Sequence, residues 1–204
     1  MRDHLWKSGA GKSTLFNIIG CLDDFDQGEY LLNGELIHTK KDKKLASLRS
    51  EQIGFVLQEF ALLDHQPVLF NVMLPMFFDD TPYATMKDKA TAALAQVQML
   101  DHKDKLANTL SGGERQRIAI ARAIVNDPVI LLADEPTGAL DTETAQEIMD
   151  LLLEMHANGL TVLIITHDEE VAAYCPRRIE LRDGRIQDDY TAPTRAAGSV
   201  KSYV

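Results

Sequence analysis

The apolar positions of this chain fall into three kinds of run, and each predicts a different element. Continuous runs at Ile53–Gln58, Val129–Ala133 and Thr161–Thr166 read as strands buried on both faces, the habit of a parallel sheet. Helical spacing appears at Leu15, Ile18, Ile19 and Leu22, and again at Ala90, Ala93, Leu94, Val97 and Leu100 within Thr85–Leu100. It appears a third time at Ile148, Leu151, Leu152 and Met155, where Asp141 is the expected N-cap and Gly159 the expected stop. Two hairpins are predicted. Asn33-Gly34 reads as a type I′ turn between Glu29–Leu32 and Glu35–Ile37, and Asp183-Gly184 joins Arg178–Leu181 to Arg185–Gln187. Strands alternating with helices predict an α/β domain on a parallel sheet.

Other stretches are less regular. Residues 1–6 show neither periodicity. Lys40–Lys44 reads as a solvated loop or a helix start. Phe60 to Phe78 is apolar but broken by Pro67 and Pro75. Its Leu69, Phe70, Val72, Met73, Met76, Phe77 and Phe78 suit either internal packing or a groove for a partner helix. Beyond residue 187 the chain loses its pattern, so residues 188–204 are expected to be a disordered tail.

Length and charge narrow the classes. The 204 residues suit one substantial core with a small lobe, and a net charge of −10 argues against a general affinity for nucleic acid or anionic lipid. Cys21 and Cys175 belong to no metal or redox cluster and read as inert thiols in a reducing compartment. No run approaches the ~18–20 apolar residues of a membrane span, and the N-terminus is no signal peptide. Work at a membrane would need another chain to do the spanning.

Four places carry chemistry. Lys7-Ser8-Gly9-Ala10-Gly11-Lys12-Ser13-Thr14 precedes a helical pattern, as in a P-loop. Small residues there let backbone N–H groups curl around phosphate, Lys12 reaches the terminal phosphates, and the Ser13 hydroxyl can ligate Mg²⁺. The full pattern has glycine where Trp6 stands. Ser111 and Glu114 form a capping box for a helix through Ala123. The cap alone asks for neither Gly112-Gly113 nor the adjacent Arg115 and Arg117; bare N–H groups at a helix start suit a phosphate. Asp134 and Glu135 end the Val129–Ala133 strand, either as an acidic turn or as a metal-holding and a water-polarising carboxylate. His167 follows the next strand, as a structural residue or as a phosphate contact. Gln58 is either a plain loop residue or a metal or partner contact.

Taken in order, these motifs resemble the nucleotide-binding subunit of ATP-binding-cassette transporters, over roughly residues 7–187. Lys7–Thr14 is similar to that family's Walker A loop, and Gln58 to its Q-loop glutamine. Leu110–Gln116 is similar to its signature, Ile130–Glu135 to Walker B, Ala139–Asp141 to the D-loop and His167 to the switch histidine. The phrases Ile19–Asp23, Ala133–Asp141 and Ile165–Asp168 look most like the macrolide-export and lipoprotein-release branch, which includes antimicrobial-peptide exporters.

The resemblance implies a P-loop NTPase (RecA-like) parallel sheet over residues 1–187, with a helical subdomain inserted at about 60–125 and the N-terminal strands largely missing. It implies ATP and Mg²⁺ as cofactors. Ser8, Gly9, Ala10, Gly11, Lys12, Ser13 and Thr14 would hold the nucleotide together with Gln58, Ser111, Gly112, Gly113, Glu114 and Asp134. Ser13, Gln58 and Asp134 would arrange Mg²⁺, Glu135 would be the catalytic base and His167 the γ-phosphate contact. It further implies a second ATP-binding subunit, with a homodimer expected, and a membrane permease docking near residues 58–78. The expected location is the cytoplasmic face of the membrane, with no nucleic-acid partner. Two departures stand out. The strand and adenine-stacking aromatic that the family carries before its loop are not seen, and Phe70 stands where the branch often has an acidic residue. The other reading is an N-terminally truncated, catalytically impaired cassette that only pairs or docks. A DNA-repair or ribosome-associated relative is disfavoured by the lack of a coiled-coil insert, zinc cysteines, a second cassette or a basic face.

Overall fold

The computed structural model describes residues 11–37, 42–78 and 80–191. The readings of Trp6, of Ser8, Gly9 and Ala10, and of residues 192–204 lie outside the described residues.

The three continuous apolar runs pair as one parallel sheet, β3-β4-β5, made of β3 (Ile53–Val56), β4 (Ile130–Asp134) and β5 (Thr161–Ile165). β4 is central, and its side chains divide by parity. Leu131 and Ala133 enter one core and Leu132 the other. The larger core lies under α3 (Val68–Met73), α4 (Tyr83–Gln96), α5 (Gly112–Ile124) and α6 (Thr142–Ala157). The smaller core joins Phe16 of α1 (Lys12–Ile19), Leu32 of the β1–β2 hairpin (Leu31–Leu32 and Glu35–Leu36) and Leu48 of α2 (Asp42–Gln52). Helices thus cover both faces of a parallel sheet, the P-loop NTPase (RecA-like) arrangement. Each fully buried aliphatic side chain, such as Leu132 or Ile148, contributes about 1.5–3 kcal/mol.

Several elements differ from the sequence reading. β3 stops at Val56, because Leu57–Phe60 folds into a turn with Phe60 N–H donating to the Leu57 carbonyl (3.1 Å). The helix expected over Thr85–Leu100 ends at Gln96, since Gln98 takes a left-handed φ of 61°. β5 is half-exposed rather than buried, because among the described residues no strand pairs with its outer edge. Within Phe60–Phe78 internal packing holds for Val72, Met73 and Met76, which are buried, whereas Phe77 and Phe78 are 42% and 85% exposed.

After α7 (Glu169–Tyr174) the chain closes in the antiparallel ribbon of β6 (Arg177–Arg182) and β7 (Arg185–Thr191). Residues 188–191, assigned from sequence to a disordered tail, are therefore strand. The ladder reaches Arg177↔Thr191, and the Arg177 guanidinium grips Asp189 through two bonds of 2.9 and 2.7 Å. Both hairpins turn on an Asx-Gly pair with positive φ at each residue, 49° and 79° at Asn33-Gly34 and 50° and 73° at Asp183-Gly184.

Candidate active site

The parallel sheet delivers its polar residues to one edge. Asp134 is the last residue of β4 and lies opposite Ile165, the last residue of β5. Glu135 and the Thr166-His167 pair therefore emerge side by side at the carboxyl ends of the strands, where open α/β sheets bind ligands. Glu135 has a left-handed φ of 47°, a conformation of order 1–3 kcal/mol costly for a residue with a Cβ. The surroundings hold it there. Its N–H donates to the Ile165 carbonyl (2.9 Å), and its own carbonyl accepts from Gly138 N–H (3.1 Å). Its carboxylate Oε1 accepts from His167 N–H (2.9 Å) and lies 2.6 Å from His167 Nδ1, while Oε2 accepts from the Thr166 hydroxyl (2.9 Å). Glu135 is largely covered, with its side chain 15% exposed, whereas the His167 side chain is 62% exposed. Thr166 went unnoticed in the sequence, although its place beside His167 at a strand end was the available signal.

Lys12 opens α1. Gly11 is the N-cap at φ 85°, a backbone conformation that glycine adopts without strain. Lys12 Nζ donates to the Thr166 carbonyl at 3.4 Å, which ties the P-loop helix to the same sheet edge. Ser13 and Thr14 are exposed in the first turn, and the Asp183-Gly184 turn comes close to Gly11. Parity places Asp134 on the Leu132 side of the sheet, the side that α1 covers through Phe16. Burial, and secondarily the Glu135 charge, raise the Asp134 pKa above its ordinary 3.8, while Lys12 partly offsets the rise.

These residues fit a nucleotide with Mg²⁺. Asp134 is a carboxylate whose charge is poorly compensated by protein, and its desolvation and repulsion would be relieved by a cation. The donor set of Ser13 hydroxyl, Asp134 carboxylate and Gln58 amide is all hard oxygen. Among the described residues no cluster of three or more Asp, Glu, His or Cys could hold a metal alone. Gln58 is exposed in the Leu57–Phe60 turn, and its amide lies beside Gly138, just past Glu135.

The signature segment is built differently. Ser111 caps α5 with a full capping box: Ser111 N–H donates to Glu114 Oε2 (2.8 Å), and Glu114 N–H donates to Ser111 Oγ (3.3 Å). The bond from Ser111 N–H holds the Glu114 pKa below its ordinary 4.5, with smaller help from the Ser111 hydroxyl, His102 and Lys105 against burial. Gly113 has a packing reason that the sequence did not reveal. A Cβ there would overlap the Thr144 γ-methyl group in the first turn of α6. Thr144 is itself fixed, because Asp141 accepts from its N–H (3.0 Å) and its hydroxyl (2.8 Å). Gln116 is fully buried and donates to the Pro136 carbonyl (2.6 Å), which joins α5 to the turn that follows Glu135. Among the described residues no hydrogen bond or ion pair joins Ser111–Glu114 to Lys12, Asp134, Glu135 or His167.

A phosphate-type helix start, a strand-end Asp-Glu pair and a histidine on the neighbouring strand define a nucleotide-hydrolysing α/β domain. Comparison with known proteins agrees. The family model described as ABC transporter matches residues 6–138. The uncharacterized ABC transporter ATP-binding protein YknY of Bacillus subtilis is 49% identical over 88% of this chain and 78% of its own length. The macrolide export ATP-binding/permease protein MacB of Brucella abortus is 47% identical over 90% of this chain, which spans only 28% of that protein. Among solved structures, the dimeric bacterial ABC transporter cassette MJ0796 superposes with a TM-score of 0.79 at 39% identity, covering 93% of this chain and 84% of that one. The chain belongs to the ABC transporter family, as an ATP-binding cassette with ATP-hydrolysing activity, and is related to MacB-type export ATPase-permease fusions. No helix among the described residues is long and apolar enough to cross a membrane.

Proposed function

We propose that this cassette powers export, by a membrane permease, of a peptide, lipid-linked or drug-like substrate, as in the macrolide-export and lipoprotein-release branch. It works as a pair of subunits at the cytoplasmic face of the membrane. Two such chains close head to tail, so that Ser111, Gly112 and Gly113 of one meet the terminal phosphate bound by Gly11, Lys12, Ser13 and Thr14 of the other. Ser8, Gly9, Ala10 and Glu114 belong to the same phosphate-binding set. The separation of the signature from Lys12 and Glu135 within one chain supports this reading. The permease is seated at the surface near residues 58–78, where Phe77 and Phe78 are exposed.

Each group has a task in hydrolysis. Glu135 takes a proton from the water that attacks the terminal phosphate, and His167 orients that phosphate while holding Glu135 through Nδ1. Asp134, Ser13 and Gln58 hold Mg²⁺, which when bound neutralises charge that develops on the phosphate oxygens. The observation that carries the reading is the Glu135 carboxylate, held by Thr166 and His167 at the sheet edge that Lys12 also reaches. Steady-state hydrolysis of Mg²⁺-ATP by the purified chain tests it. Glu135→Gln is expected to lose about 10²–10⁴-fold in rate while keeping an ATP-dependent rise in melting temperature. Wild-type protein that neither hydrolyses ATP nor shifts its melting point at millimolar ATP would overturn the proposal in favour of a cassette that only pairs or docks.

A further inference from the structure

α5 carries two arginines, Arg115 and Arg122, that reach from the signature helix to the segment following Gln58. Arg122 donates to the main-chain carbonyls of Phe60 (2.7 Å through Nη2) and of Ala61 (through Nη1). Arg115 lies 5.6 Å over the Phe60 ring and pairs with Asp64 at 2.7 Å. Seven residues separate the two arginines, so two turns of helix place them on one face. The segment they hold is unusual. Phe60 and Ala61 are consecutive non-glycine residues in the left-handed region, at φ 58° and 48°. Such a pair persists only where its surroundings impose it. The outside contact with their main-chain carbonyls comes from a half-buried guanidinium, and among the described residues no carboxylate pairs with Arg122.

The connection to the site is short. Phe60 N–H donates to the Leu57 carbonyl, so Gln58 is the second residue of a turn whose last residue Arg122 pins. The Gln58 amide faces Gly138, three residues past Glu135. We infer that Arg122, seconded by Arg115, is the positioning residue for Gln58, clamping the left-handed Phe60-Ala61 pair so that the glutamine stays aimed at the carboxylate edge and moves with the signature helix. The inference rests on the metal-holding role proposed for Gln58. It adds that α5 sets where that glutamine stands. A bidentate, charge-assisted grip on two carbonyls has no equivalent in lysine, whose single ammonium cannot span both.

Hydrogen exchange and Mg²⁺ titration of ATP hydrolysis, made on the full chain, test this. Arg122→Met keeps the length of the side chain and removes the donors; Arg122→Lys is the milder variant should Arg122→Met fold poorly. Either is expected to speed exchange of the Phe60 amide about tenfold and to raise the Mg²⁺ needed for half-maximal rate by a similar factor, with a smaller effect on the limiting rate. Adding Ala61→Gly, which removes the left-handed strain, is expected to recover part of the Mg²⁺ response. In a Gln58→Ala background the arginine substitution is expected to add nothing further. Unchanged exchange at Phe60 overturns the clamp. Faster exchange with an unchanged Mg²⁺ response, while Gln58→Ala itself alters that response, overturns the positioning role. A Gln58→Ala variant with wild-type Mg²⁺ dependence instead strikes at the metal role of Gln58, with the clamp still read by exchange.

Discussion

Two carboxylates in this cassette face opposite electrostatic fates. Glu114, at the signature end, sits in a capping box whose N–H donor favours its charge. Asp134, at the Walker B end, is partly desolvated beside a second carboxylate, with Lys12 the offsetting cation. The signature end is a finished piece of structure, and its charge is already satisfied by its own helix. The carboxylate end carries charge that the protein leaves incompletely compensated. In the proposed site, the signature end is then the template and the carboxylate end is the part that waits for a ligand.

The pH dependence should separate the two. The folded pKa of Glu114 is depressed, so its contribution to stability is present above about 4.5 and is lost as pH falls through the depressed folded value. Asp134 has a raised folded pKa. The folded chain therefore holds that proton more tightly than the unfolded chain, and stability is lost as pH rises from 3.8 through the raised value.

The variants that probe this contrast can be ranked by size. Glu135→Gln acts at the waiting end and should remove nearly all turnover with little change in melting temperature, read by hydrolysis and calorimetry side by side. Gly113→Val acts at the finished end and, unlike Glu135→Gln, should lower the melting temperature. Overpacking against Thr144 should cost about 1–3 kcal/mol in denaturant titration, and turnover should fall with the fold. Ser111→Ala removes the cap acceptor and should cost about 1 kcal/mol, or roughly 2–4 °C in melting temperature. Asp134→Asn should raise the melting temperature of the nucleotide-free chain at neutral pH and abolish its response to Mg²⁺-ATP. A lowered melting temperature there would erase the contrast. The smallest effect is expected for Ile179→Thr in the exposed β6–β7 ribbon, within about 0.5 kcal/mol by the same titration.

What could be read from the sequence divides along similar lines. The three apolar runs appear as strands, and the capping box and the Asp141 cap appear as such, because each is local: an apolar run or a bond three residues away is written in neighbouring letters. The order of the strands in the sheet, and so the meeting of Glu135 with His167, was accessible only through the resemblance, since thirty-two positions separate the two residues. Residues 188–191 were misread as tail because Gln187-Asp-Asp-Tyr-Thr has no apolar alternation. Its strand is held by ladder bonds and the Arg177–Asp189 pair instead. The contacts of Gln116 and Arg122 left no signal in a single sequence. Their partners are main-chain carbonyls of distant segments, and a carbonyl has no letter of its own.

The contact of Gly113 with Thr144 reaches past this one chain. Two sites on different helices share a space that holds one methyl group and no second carbon. A lineage gains a side chain at position 113 most easily after shedding the methyl at 144, because the intermediate with both carries the overpacking cost. Shedding it first removes the hydroxyl that binds Asp141, unless serine keeps the oxygen without the methyl. Across related cassettes the two positions should therefore drift as a linked pair, with serine at 144 as the stepping stone wherever glycine at 113 has been given up.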